Sequence, residues 1–478
     1  MVQDFKTEQL GLKKCQSVSQ SSKLTQTDNG RPFKRSSVNL QTACKIDNTK
    51  MDKFIVEGRV PLHGSITPSG NKNEALPILA ATILAQEPVI IHNVPDILDI
   101  TIMRNLLVSL GVEVMKIDKH SFRFDPCHLQ SVNPDSELAS RIRGSFLLAG
   151  PLLARKKSVV LPAPGGDRIG LRPVQTHISA LETLGTNISL GKNGFYQMQT
   201  NGLIGTQIFL DEASVMATEN AVMAAVTAQG KTKIYNAACE PHVQGLCHFL
   251  VLLGAKIDGI GSNLLNIDGV SGLSGGEYSI QPDHTEVGSF IGMAAVTGSE
   301  LRIKNAGVRY LRMTRLMFEK LGVEIQVEGD DLLIPKKQKL TVQKEIAGGI
   351  PKIDDAPWPG FPADLTSIMT VVATQCTGTV LIFEKMFESR LFWLDKLIEM
   401  GAQIILCDPH RAVVSGPTPL KGARVSSPDI RAGMALLIAA LGANGITEIH
   451  NIDQIDRGYE TIDKRLNALG AKIQRETE

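Results

Sequence analysis

The chain repeats one helix-to-strand junction six times at a nearly constant interval. Each copy has apolar residues at helical spacing, then a glycine able to take the left-handed conformation that ends a helix, then an apolar alternation typical of a strand. The copies are LLVSLGVEV at 106–114, LETLGTNI at 181–188, FLVLLGAKI at 249–257, MFEKLGVEI at 317–325, KLIEMGAQI at 396–404 and RLNALGAKI at 465–473. Two or three such junctions are common, but six spaced 68 to 79 residues apart indicate an internal repeat.

The repeat predicts the fold class. Several units also contain a strand ending in IHNV, IYNA, IKNA or IHNI, preceded by apolar helices such as AVMAAVTAQGKT and IAALGANGIT. A unit of about seventy residues is too small to be stable without a shared core, so we expect the six units to group as three plus three. The prediction is two similar α/β domains.

Composition and charge disfavour several classes of function. The 478 residues are 43% hydrophobic and 21% charged, which is typical of a globular protein with two domains. Residues 1–50 carry nine Lys and Arg against four acids, leaving 41 basic against 45 acidic residues in the remainder. That remainder lacks the basic footprint of a nucleic-acid-binding protein. The apolar runs LPILAATILA and MALLIAALGA are about ten residues long, which suits buried helices and is too short to span a membrane.

The first fifty residues and the cysteines indicate where the protein works. Residues 1–50 hold eleven Ser or Thr and few apolar residues, which predicts a disordered leader. A transit peptide is also basic and Ser-rich, but Asp4 and Glu8 disfavour that alternative. The seven cysteines form no CxxC pair, which favours a reducing compartment, so we expect a cytoplasmic protein.

Charged residues cluster at the predicted ends of helices and strands. SGNKNEALP puts Lys72 just before a helix that is capped by Asn71 or Asn73, with Pro77 expected in its first turn. A helix N-terminus beside a lysine can hold a phosphate. The other clusters contain Arg143, Arg172 with His177, Asp364, Arg390, Asp429 with Arg431, and Asp456 with Arg457.

Two interpretations of these clusters remain open. Arginine next to aspartate is often a solvated surface ion pair. If the clusters instead converge in a cleft between two domains, they form an anion site with carboxylates available for proton transfer. No phosphate-binding or dinucleotide glycine loop, HExxH motif or zinc-spaced Cys/His cluster occurs, so no metal is predicted.

Five motifs give the chain a specific resemblance. SGNKNEALP, GGDRIGLRPVQTHISALETLG, PGFPADL, PDIRAG and IDRGYETI resemble, in order and spacing, those of the enolpyruvyl transferases, and the likeness runs from Met51 to the end. The resemblance implies two inside-out α/β domains, each of three repeats, with the active site in the interdomain cleft. One domain spans 71–280 and carries a mobile catalytic loop; the other comprises 51–70 plus 281–478.

The resemblance also implies an activity. The enolpyruvyl group of phosphoenolpyruvate would move to the 3-hydroxyl of UDP-N-acetylglucosamine, releasing phosphate, as the first committed step of peptidoglycan synthesis and so of cell wall biogenesis, cell shape and division. The two substrates are the only partners implied, with no cofactor. Two alternatives stay open: a paralogous transferase acting on another nucleotide or nucleotide sugar, and a non-catalytic nucleotide-sugar binder. The presence of every lysine, arginine and aspartate that the chemistry needs disfavours the binder.

The roles that the resemblance implies can be assigned to numbered residues. Lys72, Arg172 and Arg457 would hold the phosphate. Arg390 and Arg431 would lie near the carboxylate, and Asp364 would take the proton from the sugar hydroxyl. The other substrate-binding residues implied are Asn73, Arg143, Pro173, Val174, Gln175, Thr176, His177, Ser214, Val215, Met386 and Asp429.

Three residues depart from the family pattern, and we expect each of them to border the substrate. Asp167 stands where most members have cysteine, Met216 where SVG has its glycine, and Leu147 where some members have tryptophan. In the family, the thiol of this cysteine is a general acid, and its sulfur is the atom that the epoxide antibiotic fosfomycin alkylates. We expect Asp167 to serve as the acid; the alternative is that it pairs with an arginine and only holds the loop.

Overall fold

A computed structural model describes residues 52–167 and 169–477. The predicted leader, residues 1–50, lies outside the described residues. Within the described part of the chain, no helix is long and apolar enough to cross a membrane.

Strands and helices are interspersed along the described chain. The strands are β1 Asp52–Glu57, β2 Ser65–Ile66, β3 Val89–His92, β4 Glu113–Lys116, β5 Phe122–Asp125, β6 Ser158–Leu161, β7 Thr186–Leu190, β8 Tyr196–Thr200, β9 Gln207–Phe209, β10 Lys231–Tyr235, β11 Lys256–Asp258, β12 Leu264–Asp268, β13 Gly276–Ser279, β14 Leu301–Ile303, β15 Gln326–Glu328, β16 Asp331–Ile334, β17 Lys352–Asp354, β18 Gly378–Phe383, β19 Gln403–Asp408, β20 Arg411–Gly416, β21 Arg424–Ser426, β22 Ile446–His450 and β23 Lys472–Thr477. The α-helices are α1 Lys72–Ala81, α2 Leu98–Leu110, α3 Ser136–Arg141, α4 Ala149–Lys156, α5 Gln175–Thr183, α6 Val215–Ala225, α7 Pro241–Leu252, α8 His284–Thr297, α9 Arg312–Lys320, α10 Thr366–Thr374, α11 Leu394–Glu399, α12 Ile430–Gly442, α13 Asp453–Asp456 and α14 Ile462–Asn467. Short 3₁₀ helices lie at Thr82–Leu84, Pro126–His128, Arg143–Leu148, Val308–Tyr310 and Ala363–Leu365.

The described strands form six sheets, one for each predicted unit. In the sheet β11-β12-β10-β9, β9 pairs parallel with β10, and β12 pairs antiparallel with β10 and β11. Four other sheets have the same pattern, in the orders β13-β3-β5-β4, β15-β16-β14-β2, β17-β18-β20-β19 and β21-β22-β1-β23. The sixth, β6-β8-β7, has three strands. This shared topology confirms the six-unit prediction.

The junction glycines have the conformation that the repeat predicts. All six have φ between 80° and 105°, a region that strains any residue with a Cβ: Gly111, Gly185, Gly254, Gly322, Gly401 and Gly470. The four strand-end asparagines, Asn93, Asn236, Asn305 and Asn451, also have positive φ of 50° to 57°. Asparagine tolerates this region better than most residues, which explains its recurrence in the unit.

The buried apolar side chains form two separate clusters. One contains residues from Ala75 to Ile280, and the other combines Phe54 to Ile66 with Val287 to Ile473. Within the second cluster, α8, α10 and α12 pack against one another, and all thirteen residues of α12 are buried. A helix buried on every side lies inside its domain, which is the inside-out arrangement. The two clusters support the predicted division into domains; its boundaries stay a prediction.

Helix α1 corrects one detail of the sequence analysis. Asn71 is the N-cap: its Oδ1 accepts from the backbone N–H of Asn73 at 2.9 Å and of Glu74 at 3.2 Å. Pro77 is therefore the sixth helical residue, and the expectation that it lies in the first turn is wrong. Nine of the ten residues of α1 are buried, so tertiary packing offsets the hydrogen bond that the proline removes.

Candidate active site

One lysine and one arginine side chain pair with the same buried aspartate. Lys72 Nζ lies 2.8 Å from Asp99 Oδ2, and Arg457 donates to the same carboxylate through Nε at 3.0 Å and Nη2 at 3.4 Å. Arg457 Nη1 also donates to Asp167 Oδ1 and, at 2.9 Å, to Gln454 Oε1. Lys72, Asp99 and Asp167 belong to the part of the chain that contains the first cluster, whereas Arg457 belongs to the second. The network therefore crosses the cleft between them.

Asp99 is a residue of the site that none of the sequence motifs had indicated. Its side chain is only 5% exposed, in the first turn of α2. Burial acts to raise the pKa of Asp99, but Lys72 and Arg457 outweigh burial and hold that pKa below its usual range. The available signal was a lone acid in the apolar run ILDITIM. A buried acid of this kind needs a cationic partner, but the sequence does not show which one.

A second carboxylate, Asp364, is held by two arginines. It lies in the 3₁₀ turn before α10 and accepts from Arg390 Nη2 at 3.0 Å and from Arg431 Nε at 3.0 Å. Arg431 also donates to Tyr459 Oη at 3.3 Å. Burial opposes the ionisation of Asp364, yet Arg431 and Arg390 hold its pKa well below the usual range. The carboxylate is therefore ionised and accepts protons only weakly while both arginines face it.

The guanidinium of Arg172 interacts electrostatically with one aspartate of each network, Asp167 and Asp364. Burial lowers the pKa of its guanidinium, while Asp167 and Asp364 act in the opposite direction. Arg143 holds the backbone beside it, donating through Nη1 to the carbonyl of Arg172 at 2.7 Å and through Nη2 to that of Pro173 at 3.1 Å. Arg172 is therefore a fifth cationic side chain near the acids of the two networks, in addition to Lys72, Arg457, Arg390 and Arg431.

The predicted mobile loop contacts the far side of the cleft. The Leu171 N–H donates to Glu388 Oε1 at 3.1 Å, and the Ser389 N–H donates to the carbonyl of Ile169 at 3.3 Å. A cavity of about 540 Å³ lies beside these contacts, with Asp167 and Glu388 in its lining. In this structure the loop is thus closed onto residues 388–389.

Gly170 provides a test of this closure. It has φ of 136°, and a Cβ there would lie 2.5 Å from Glu388 Oε2. We expect Gly170→Ala to push Glu388 away, break its bond to the Leu171 N–H, and lower kcat/KM by about tenfold or more, since an open loop leaves the site incomplete. Gly194→Ala is the control, because Gly194 also has positive φ but has nothing within 4 Å of its added Cβ. Equal kcat/KM values for the two variants would contradict a role for the closed loop.

The structure places the other implied substrate-binding residues in different environments. His177 is 2% exposed, and its Nδ1 is 2.9 Å from Asn220 Nδ2. Burial, aided by Arg143, lowers the pKa of His177 to about 3, so the ring is neutral. Thr176 donates to Asp211 at 2.7 Å. These contacts position α5; direct contact with substrate stays a prediction for both residues.

The remaining implied residues lie at the ends of helices or on loops. Asp429 caps α12 by accepting from the backbone N–H of Arg431 and Ala432. Ser214 and Val215 begin α6, and Met386 is 39% exposed. Asn73 and Val215 are half-buried, Pro173 and Gln175 are exposed, and Val174 is buried. The substrate contacts implied for these residues stay predictions.

The two apolar departures from the family pattern are accommodated by the core. Leu147 is 1% exposed within the first cluster, so the expectation that it borders the substrate is wrong. Met216 is half-buried and packs against the same cluster.

Comparisons with known proteins agree with this arrangement. The model of the EPSP synthase (3-phosphoshikimate 1-carboxyvinyltransferase) family matches residues 56–466. A UDP-N-acetylglucosamine 1-carboxyvinyltransferase from Bradyrhizobium diazoefficiens is 55% identical over 423 residues, covering 88% of this chain and 98% of the relative. One from Treponema denticola is 53% identical, covering 89% and 99%.

Solved structures show the same fold at low sequence identity. The enolpyruvyl transferase NikO from Streptomyces tendae has a TM-score of 0.81 at 23% identity, covering 90% of this chain and all of that one. EPSP synthase from Acinetobacter baumannii has a TM-score of 0.69 at 18% identity, covering 89% of this chain and all of that one. With its six repeated units and its charged cleft, the chain belongs to the EPSP synthase family of enolpyruvyl transferases.

Proposed function

We propose that this enzyme transfers the enolpyruvyl group of phosphoenolpyruvate to the 3-hydroxyl of UDP-N-acetylglucosamine and so serves peptidoglycan synthesis. The observation that carries the proposal is the convergence of Lys72, Arg172 and Arg457 with Asp167 and Asp364 around one cleft. Phosphoenolpyruvate has two anionic ends, and a site with several cations matches it. The full-length relatives that bear the transferase name favour this acceptor.

The arginines around Asp364 give the substrate a way to activate the base. The carboxylate of phosphoenolpyruvate competes with Asp364 for Arg390 and Arg431. As these arginines turn to the substrate, the basicity of Asp364 rises, and it can take the proton of the sugar hydroxyl. The hydroxyl oxygen then bonds to C2 of phosphoenolpyruvate.

Asp167 would complete the addition. Once the substrate phosphate displaces Asp167 from Arg457, the carboxyl group of Asp167 can hold a proton. Transfer of that proton to C3, as the hydroxyl oxygen bonds to C2, gives a tetrahedral intermediate that still carries the phosphate. Loss of phosphate from C2 and return of a proton from C3 to the Asp167 carboxylate then restore the double bond in the enol ether product. Closure of the loop carrying Asp167 excludes water from this step.

One assay separates this proposal from the alternatives. Phosphate release from phosphoenolpyruvate is measured with a panel of nucleotide sugars, and the sugar product is identified by mass. We expect release only with UDP-N-acetylglucosamine. Release with another nucleotide or nucleotide sugar instead would identify a paralogous transferase, and nucleotide-sugar binding without any release would identify a binder.

A further inference from the structure

Asp99 pairs with two cations that the proposed function assigns to phosphate. Its carboxylate lies 2.8 Å from Lys72 Nζ and 3.0 Å from Arg457 Nε. All three side chains are largely buried, with Lys72 10%, Asp99 5% and Arg457 13% exposed. A buried carboxylate bonded to two cations is fixed from two sides.

The donors of Arg457 are divided between two acids, one on a helix and one on a loop. Its Nε and Nη2 face Asp99, and its Nη1 faces Asp167 and Gln454. Asp167 is on the glycine-containing loop, whereas Asp99 is on α2 and is also held by Lys72. In the proposed function, an incoming anion would replace Asp167 on Nη1, while Asp99, held by Lys72 as well, would stay in place.

We propose that Asp99 is a positioning residue that fixes Lys72 and Arg457 for the substrate phosphate and cancels enough of their charge for the released phosphate to leave. The inference rests on the proposed function. Without Asp99, two neighbouring cations would face the cleft uncompensated, and the attraction between them and a phosphate dianion would increase. The site would then bind phosphate more tightly but hold its donors less accurately for reaction.

A purely structural role makes a different prediction, and Glu460 provides the matched control. Glu460 also joins the two parts of the chain, accepting from Lys119 Nζ at 2.7 Å, His120 Nε2 at 2.9 Å and the Asp96 N–H at 3.0 Å. Its side chain is 6% exposed, close to the 5% of Asp99, and its hydrogen-bond partners include neither Lys72 nor Arg457. Glu460→Gln therefore removes one buried charge from the same interface without touching the proposed phosphate donors.

The test compares Asp99→Asn with Glu460→Gln in the full chain, with inorganic phosphate as the probe. Phosphate affinity is measured by calorimetry without substrates, and product inhibition is measured during turnover. We expect Asp99→Asn to bind phosphate about tenfold or more tightly than the parent, with lower kcat and stronger inhibition by phosphate. Glu460→Gln should keep the parent's phosphate affinity. Unchanged or weaker phosphate binding by Asp99→Asn, or an equal gain in Glu460→Gln, would overturn the inference.

A second variant separates charge from position and applies even if Asp99→Asn fails to fold. Asp99→Glu keeps the charge but moves it by one methylene, so we expect phosphate affinity near that of the parent and a fall in kcat. Tight phosphate binding by Asp99→Glu, or parental kcat, would contradict the proposed role. Phosphate affinity is read without turnover, so a parent protein that binds phosphate but makes no enolpyruvyl product refutes the proposed function separately.

Discussion

Replacing Asp364 by asparagine is expected to lower kcat by about 10²- to 10⁴-fold, the usual cost of losing a general base. The two arginines donate to different oxygens of Asp364, so the single oxygen of the amide keeps one of these hydrogen bonds, and the amide cannot take a proton from the sugar hydroxyl. Binding of both substrates should be largely retained. Turnover is measured by phosphate release, and binding by the shift in melting temperature with each substrate.

The control for this prediction is Asp354→Asn. Asp354 is in the same part of the chain and pairs with Lys352 and Lys385, outside the two acidic networks of the cleft. We expect it to leave kcat unchanged. Near-normal turnover in Asp364→Asn would show that another group is the base.

Replacing Asp167 by alanine is expected to abolish most turnover, by about 10²-fold or more, because the loop then carries no acid. The structure shows the pair between Asp167 and Arg457, so the alternative role of holding the loop has a physical basis. Asp167→Asn distinguishes the two roles: asparagine can still accept from Arg457 but cannot donate a carboxyl proton. An active asparagine variant, or an active alanine variant, would rule out Asp167 as the acid.

The same position predicts a response to fosfomycin. A carboxylate is a much weaker nucleophile than a thiolate, and the Asp167 carboxylate is engaged by Arg457. We expect the parent enzyme to resist fosfomycin and Asp167→Cys to be active and inactivated by it over time. The measurement is residual activity after incubation, with the covalent adduct checked by mass. Time-dependent inactivation of the parent would refute this prediction.

The repeat and the motifs determined the fold class and most of the charged residues of the site. The conformation of the six glycines could be predicted from the sequence because it depends only on a local requirement, a left-handed residue at the end of a helix. The lysine and arginines assigned to the phosphate and the carboxylate of the substrate could be identified from the sequence because their motifs are short and contiguous. The same local rules placed Asn71 as one of two candidate caps for α1.

Only the tertiary structure decided which charges meet. Asp99 and Arg457 are 358 residues apart in the chain, and no local pattern relates them; packing of the two parts of the chain brings them together. Packing also buried Leu147, which we had expected to border the substrate, and kept Pro77 within α1. Burial and long-range pairing depend on every neighbouring element at once, whereas the repeat's glycines depend only on the residues beside them.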